Sequence, residues 1–283
     1  MRRLFAIASA ATALVLTLGA CGSTESGTAG ETAAASAPAA GEVLKVGVSP
    51  VPHGQILKFV KDELAAKEGL NLEIVEFTDY VQPNVQLQDG ELGANFFQHR
   101  PYLDDFNASK GTKLTYVQDV HLEPLGLYSK KIKAVTELAD GATVAVPNDA
   151  TNLGRSLKLL ADNGVVTLKE GVGTAATERD VTGNPKNLKF QPLEAAQLPR
   201  SLEDVDAAVI NGNYALEADL KPASDALVLE KAEGNPYANG LVVAAGHEQD
   251  PRVVKLAKLL SGTEVKQFIE RTYSGSVISV TAG

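Results

Sequence analysis

The stretch GANFFQHRPYL, residues 93–103, concentrates side chains that can bind a small molecule. It places Phe97, His99 and Tyr102 within six positions, in a chain of 283 residues with eight Phe, seven Tyr and no Trp. On a strand, Phe97 and His99 share one face while Phe96 points to the other. This predicts Phe97 and His99 in a pocket wall and Phe96 in the core. Taken alone, the pattern is more typical of local core packing for most of these rings.

A second stretch, PNDATNLGRSLKLL, suits an anionic group. Thr151 or Asn152 is expected to cap a helix here, and the exposed backbone N–H groups at a helix start attract anions. Arg155 is expected in the first turn, where the helix dipole disfavours a cation. A two-pronged contact with a ligand carboxylate would explain it. An ordinary surface salt bridge explains it as well.

Motifs for catalysis or metal binding are lacking. GVGTAA, from Gly171, loosely fits a dinucleotide-binding pattern, but no clear strand precedes it, and we predict a loop. The sequence has neither a P-loop nor a G-x-S-x-G motif. No two histidines have the i, i+4 spacing of a helical zinc site. We therefore predict a protein that is not an enzyme, with no catalytic residues, no metal and no cofactor. The histidines are His53, His99, His121 and His247.

The surrounding elements predict an α/β fold with parallel sheets. A strand, a proline and an apolar helix follow one another from Leu44, and the same order recurs from Thr143. The repeat favours two similar lobes with a ligand cleft between them, since ligands bind at the carboxyl ends of strands in open α/β sheets. We assign residues 43–122 and 240–283 to lobe 1 and residues 123–239 to lobe 2.

The N-terminus predicts export and anchoring. Arg2 and Arg3 precede an uncharged apolar run, so residues 1–20 are typical of a signal peptide. The run ends in LGAC, whose Cys21 is the only cysteine of the chain. Residues 21–42 are rich in Gly, Ser, Thr and Ala, and we interpret them as a flexible tether. The net charge of −9 argues against a nucleic-acid partner.

Several motifs together resemble the MetQ/NlpA family of methionine-binding lipoproteins, and the likeness runs in order through residues 43–273. They are FTDYVQPNVQL, NFFQHRPYL, LYSKKIK, VAVPNDATNLGRSLKLL, NPKNLKFQPLEAAQLPRSL, VINGNYA and NPYANGLVV. LGAC resembles the lipobox, which implies that Cys21 is acylated and holds the protein on the extracytoplasmic face of the cell membrane. The family implies a two-lobed periplasmic-binding-protein-like fold. It also implies methionine as ligand and the permease and ATPase subunits of an ABC importer as partners.

By motif, the resemblance implies seven ligand-binding residues: Tyr80, Phe97, His99, Tyr102, Arg155, Asn211 and Asn239. Arg155 suits the methionine carboxylate, while Asn211 and Asn239 can accept hydrogen bonds from the ammonium group. The aromatic rings suit the thioether, because sulfur–aromatic contacts contribute about 0.3–1.5 kcal/mol each. His99 can donate or accept one hydrogen bond in the cleft.

The sequence departs from the common family pattern at Phe96, Ala150, Gly212 and Gly240. These departures leave the ligand open to alternatives, namely another amino acid or a methionine-containing dipeptide. An anchored enzyme or a purely structural lipoprotein is the alternative from another class. An enzyme would need a catalytic motif, and a structural lipoprotein would not need the converging set of Arg155 and two asparagines.

The anchor is testable at Cys21. Cys21→Ala should release the protein from membranes or leave the signal peptide uncleaved, because the acylated thiol is gone. Membrane fractionation and the mass of the product measure both effects. A variant that is still processed, acylated and fully membrane-bound would contradict the lipobox assignment.

Overall fold

The computed structural model describes residues 42–281, so the predicted signal peptide, Cys21 and the tether up to residue 41 lie outside the described residues. Strands and helices alternate through the described part. The strands are β1 Val43–Val48, β2 Asn71–Glu76, β3 Ala94–His99, β4 Leu114–Leu122, β5 Gly126–Tyr128, β6 Thr143–Pro147, β7 Thr167–Leu168, β8 Val181–Gly183, β9 Lys189–Leu193, β10 Ala207–Ile210, β11 Val228–Leu229, β12 Ala238–Ala244 and β13 Ile278–Ser279. The α-helices are α1 Gln55–Phe59, α2 Gln82–Gln88, α3 Arg100–Lys110, α4 Ala150–Asp162, α5 Leu198–Ser201, α6 Gly212–Glu217, α7 Pro222–Asp225, α8 Pro251–Leu260 and α9 Thr263–Tyr273.

Two larger sheets organise these elements into two lobes. The first has six strands in the order β13-β4-β12-β3-β1-β2, and the second has five in the order β11-β5-β10-β6-β9. The chain leaves the first sheet after β4 and returns to it at β12. The α/β class and the two-lobed architecture are thus confirmed.

The prediction of parallel sheets is wrong in part, because both sheets are mixed. β1 pairs in parallel with β2 and β3, but β12 runs antiparallel to β3 and β4. In the second sheet, β6 pairs in parallel with β9 and β10, while β5 runs antiparallel to β10 and β11. The path of the chain explains the antiparallel pairing of β12 in the first sheet. β4 leads out of that sheet, and β12 leads back alongside β4 in the opposite direction.

Each sheet has its own apolar core. One cluster of buried residues joins β1, β3 and β12 to α1, α8 and α9. A second joins β5, β6 and β10 to α4. Alternation along β3 divides its rings as predicted: Phe96 is fully buried in the first core, whereas Phe97 belongs to a small cluster with Tyr102 and Phe106.

Several local predictions are confirmed and one needs correction. The helices expected at 251–260 and 263–273 have those bounds, and the repeated strand-then-helix order at Leu44 and Thr143 is present. GVGTAA is not a plain loop, because Gly173–Ala175 forms one 3₁₀ turn. The two-residue strand β7 lies just upstream, but it pairs only with β8 in a separate ribbon.

The structure explains why residue 240 is a glycine. The pairing of β12 with both neighbours shifts register around Gly240. A Cβ atom at this position would lie 2.1 Å from the backbone oxygen of Gln118 and 2.3 Å from the Tyr116 hydroxyl. A side chain does not fit there without moving the backbone of β4, which accounts for a glycine at this position. Among the helices of residues 42–281, none is long and apolar enough to cross a membrane.

The two rings of β3 should respond differently to truncation. Phe96→Ala should lower the free energy of unfolding by about 3–5 kcal/mol, because it empties a closed core site. Phe97→Ala should cost less, because its ring borders a cavity instead of a closed core. Urea unfolding of both ligand-free variants measures the difference. Equal losses would contradict the alternation.

Candidate functional site

One cavity brings together residues from both lobes. All seven of the residues expected from the family motifs line it. Tyr80, Phe97, His99, Tyr102 and Asn239 come from elements around the first sheet, and Arg155 and Asn211 from elements around the second. The complete lining is Tyr80, Phe97, Gln98, His99, Tyr102, Glu123, Asn152, Arg155, Asn211, Gly212, Asn213 and Asn239.

Aromatic rings form one wall of the cavity. The ring centroids of Tyr80, Phe97 and Tyr102 lie 5.8–6.1 Å from one another. The Tyr80 hydroxyl donates to Asn213 Oδ1 at 2.5 Å, and the Tyr102 hydroxyl donates to the backbone oxygen of Tyr80 at 3.0 Å. These bonds hold the polar ends of both tyrosines within the protein, so the rings present polarizable apolar surface to the cavity.

His99 has both ring nitrogens engaged within the protein. It caps α3, where Nδ1 accepts from the Tyr102 backbone N–H at 3.1 Å. Its Nε2 lies 3.2 Å from Asn152 Oδ1. Since Nδ1 is an acceptor, a neutral ring carries its proton on Nε2 and donates to Asn152. His99 thus makes one hydrogen bond inside the cleft, to the lining residue Asn152, and its ring faces the cavity.

The local structure around Arg155 corrects two expectations. The residue that caps α4 is Asp149, whose carboxylate accepts from the Asn152 backbone N–H at 2.9 Å, and not Thr151 or Asn152. The helix consequently begins at Ala150, and Arg155 lies in the second turn. The dipole argument against a cation weakens there, because the effect falls off within the first turn.

Arg155 is already paired inside the protein. Its Nε donates to Glu230 Oε1 at 2.9 Å and its Nη2 donates to Glu230 Oε2 at 2.5 Å, a fork-like arrangement. Nη2 also donates to the backbone oxygen of Glu123 at 3.0 Å, and the guanidinium lies 4.3 Å from the ring centroid of Tyr237. Within residues 42–281, these bonds leave Nη1 without a hydrogen bond. Burial opposes ionisation of Glu230, but the Arg155 charge together with hydrogen bonds from Arg155, the Leu125 backbone and Asn235 outweighs it and holds the pKa of that carboxyl below its usual value.

The two asparagines lie at the ends of strands. Asn211 follows β10 and precedes α6, and its amide donates to Asn152 Oδ1 at 3.0 Å. Its own Oδ1 is buried and has no hydrogen-bond partner in the described part of the chain. Asn239 lies in β12 beside His99 of β3 and His121 of β4, and its Oδ1 is 3.2 Å from His53 Nε2.

Five lining residues escaped the sequence reasoning. Two of them had a local signal, since Glu123 lies two positions after His121 and Asn213 lies two positions after Asn211. Asn152 was expected only as a helix cap, Gly212 was noted only as a departure from the family pattern, and Gln98 carried no signal in isolation. The five are Gln98, Glu123, Asn152, Gly212 and Asn213.

Glu123 also completes a cluster that the scattered histidines did not predict. His53 and His121 are 68 positions apart in the chain, yet each places Nε2 close to Glu123 Oε1, at 3.1 Å and 2.7 Å. All three side chains are buried. Burial lowers the pKa of His53 to about 4 and that of His121 to about 3. Burial, together with the Arg155 charge, lowers the pKa of His99 to about 3.

Comparisons with known proteins agree with this architecture. The model of the NlpA lipoprotein family matches residues 44–281. The D-methionine-binding lipoprotein MetQ of Escherichia coli (strain K12) is 44% identical over 237 residues, which cover 83% of this chain and 87% of that protein. A nutrient-binding protein from Burkholderia cenocepacia, solved bound to methionine, is 47% identical with a TM-score of 0.81, over 84% of this chain and 99% of that chain. An ABC transporter periplasmic substrate-binding protein from Coxiella burnetii is 40% identical with a TM-score of 0.80, over 84% and 100%.

The buried histidines give a pH prediction. Since their pKa values lie well below the ordinary 6.5, His53, His99 and His121 should remain neutral at pH 7 and take up protons only in acid. Their imidazole NMR signals should keep neutral-form positions from pH 8 down to about pH 5, while free histidine in a parallel sample titrates normally. A midpoint near 6.5 for any of the three would contradict its burial.

Proposed function

Because the chain belongs to the NlpA lipoprotein family, we propose that it is a substrate-binding protein that captures methionine and delivers it to an ABC-type importer. One observation carries the proposal: a buried arginine, amide acceptors and an aromatic wall meet around a single cavity between the lobes. A zwitterion with a polarizable tail needs those three kinds of surface.

The seven residues have assigned roles in this proposal. Arg155 faces the methionine carboxylate with Nη1, because the Nε–Nη2 edge of its guanidinium already holds Glu230. The ligand carboxylate thus meets a guanidinium fixed in place, instead of the free two-pronged contact expected from the sequence. Asn211 Oδ1, which lacks a partner among the described residues, and Asn239 Oδ1 accept from the ammonium group.

The thioether tail lies against the aromatic wall. Tyr80, Phe97 and Tyr102 supply the polarizable surface that a sulfur atom prefers, and the His99 ring closes the same side at 6.2 Å from Tyr102. The runner-up ligands are another amino acid and a methionine-containing dipeptide.

The cellular setting is part of the proposal. Cys21 is acylated and residues 21–42 tether the body to the cell membrane on its extracytoplasmic face. The permease and ATPase subunits of the importer are the partners, and the protein has no catalytic activity of its own. Residues 43–122 and 240–283 form lobe 1, and residues 123–239 form lobe 2. The sheet memberships support that division, since β1–β4, β12 and β13 share one sheet, except that Ala238 and Asn239 belong to β12 and so to the sheet of lobe 1.

Arg155 provides the direct test of the ligand's charge. Arg155→Ala should weaken methionine binding by roughly 2–5 kcal/mol, because a buried carboxylate loses its charged partner. Calorimetry on ligand-stripped protein measures the change. Melting curves are recorded alongside, because the same substitution leaves Glu230 without its cation.

Arg252→Ala is the matched control for that experiment. Arg252 is also ion-paired, with Asp250 at 2.6 Å, but it does not line the cavity. Its replacement should leave the dissociation constant unchanged. If Arg155→Ala folds and binds methionine as tightly as this control, Arg155 is not in the site.

Phe97 and Phe96 test the aromatic wall in the same titration. Phe97→Ala should weaken methionine binding, because a ring beside the thioether is lost. Phe96→Ala, which empties the core behind β3, should leave binding by the folded fraction near normal. The reverse pattern would place the other face of β3 in the cavity and would remove His99 from the site together with Phe97.

A further inference from the structure

Glu123 is the charged lining residue to which the proposed function gives no role. It follows β4 directly, in the segment that leaves the first sheet, and its side chain is only 5% exposed. It borders the same cavity as Arg155. A carboxylate in such a position costs several kcal/mol unless it is paired or hydrogen-bonded.

The charges around the cavity leave Glu123 without a cation of its own. Arg155 is the cationic lining residue, and its fork is occupied by the carboxylate of Glu230. The two histidines beside Glu123 are neutral at pH 7, because burial lowers their pKa values. Burial has the largest effect on the Glu123 carboxyl and raises its pKa, although the Arg155 charge and a hydrogen bond from the Asn213 backbone oppose the rise.

The histidines act as neutral donors to this carboxylate. His53 Nε2 and His121 Nε2 both point to Oε1, at 3.1 Å and 2.7 Å. A proton on Nε2 leaves Nδ1 as a bare acceptor, and both Nδ1 atoms are buried without a partner among residues 42–281. Two N–H groups therefore reach one oxygen of Glu123, and the His53 N–H is shared with Asn239 Oδ1 at 3.2 Å.

The same three residues could also be considered as metal ligands, since their donor atoms lie within 4.8 Å of one another. Two features disfavour a metal. Both Nε2 atoms lie at hydrogen-bond distance from a single carboxylate oxygen, which leaves no room for an ion between them. A metal-bound histidine almost always has its other nitrogen held by a hydrogen bond, and neither Nδ1 has one in the described structure.

Gly212 makes room for Glu123. A Cβ atom at this first residue of α6 would lie 2.7 Å from Glu123 Cβ and 3.3 Å from Oε2. The adjacent Asn211 carries a second buried acceptor, its unpartnered Oδ1. One end of the cavity thus combines a carboxylate with an amide oxygen, a set that matches the several N–H donors of an ammonium group.

We propose that Glu123 is the counter-ion of the ligand's ammonium group and that it selects α-amino acids against analogues without the amino group. His53 and His121 are positioning residues that orient its carboxylate, and Gly212 keeps the space for it. The inference rests on the proposed function, because it assigns a further contact in the same methionine cavity.

The experiment compares two ligands on ligand-stripped protein by calorimetry: methionine and 4-(methylthio)butanoic acid, which lacks only the amino group. The wild-type protein should prefer methionine by at least about 30-fold, the lower bound for losing one partner of a buried charge pair. Glu123→Gln should lose most of that preference, because its methionine affinity falls while affinity for the des-amino acid does not. Gly212→Ala, which displaces Glu123, should reduce the preference in the same direction.

Glu217→Gln is the control, since Glu217 is an exposed carboxylate of α6 that does not line the cavity, and it should keep the wild-type preference. Failure of the wild type to bind methionine would overturn the proposed function. Normal methionine binding with full preference in Glu123→Gln would overturn only the role of Glu123. If Glu123→Gln does not fold, two other results would overturn the inference. One is equal affinity of the wild-type protein for the two ligands. The other is a preference for methionine that survives in Gly212→Ala. Stoichiometric zinc in the purified protein, lost in Glu123→Gln, would assign the cluster to a metal instead.

Discussion

The two-pronged ion pair between Arg155 and Glu230 constrains how the rest of the cavity can bind a ligand. A guanidinium that is 3% exposed cannot remain unpaired without a large desolvation cost. Glu230 supplies the countercharge, the Glu123 backbone oxygen supplies a further acceptor, and Tyr237 covers one face of the planar group. Arg155 is therefore held in one orientation before any ligand arrives. Preorganisation of this kind reduces the ordering cost of binding.

The same ion pair also determines which charged groups of the cavity are available to a ligand. With Arg155 neutralised by Glu230, a zwitterionic ligand does not simply insert its carboxylate against a free cation. Its two charged ends have to be received by a partly committed guanidinium and by acceptors elsewhere in the cavity. The buried Oδ1 of Asn211 and the carboxylate of Glu123 are such acceptors. Neutral histidines around Glu123 hold that carboxylate with hydrogen bonds without cancelling its charge.

The cavity exists because the chain crosses between the sheets. His121 lies near the C-terminal end of β4, and Glu123 follows directly after that strand. The next strand, β5, belongs to the second sheet. β12 returns between β3 and β4 and sets Asn239 next to His99 and His121. The glycine at 240 permits the register shift that this close pairing requires. Residues that are distant in sequence meet here because both crossings pass beside the cavity.

The sequence by itself determined much of this protein. Apolar periodicity predicted the α/β class and the bounds of α8 and α9, since those patterns depend only on neighbouring residues. Strand alternation separated Phe96 from Phe97, and short motifs picked out seven residues that line one cavity. Only the tertiary structure decided the mixed strand directions, because a local pattern does not record which neighbour a strand will have. It also paired Arg155 with Glu230, 75 positions away, and joined His53 and His121 to Glu123. Charge pairing and burial are properties of residues brought together by the fold, and for that reason the electrostatics of the cavity could not be deduced from local sequence.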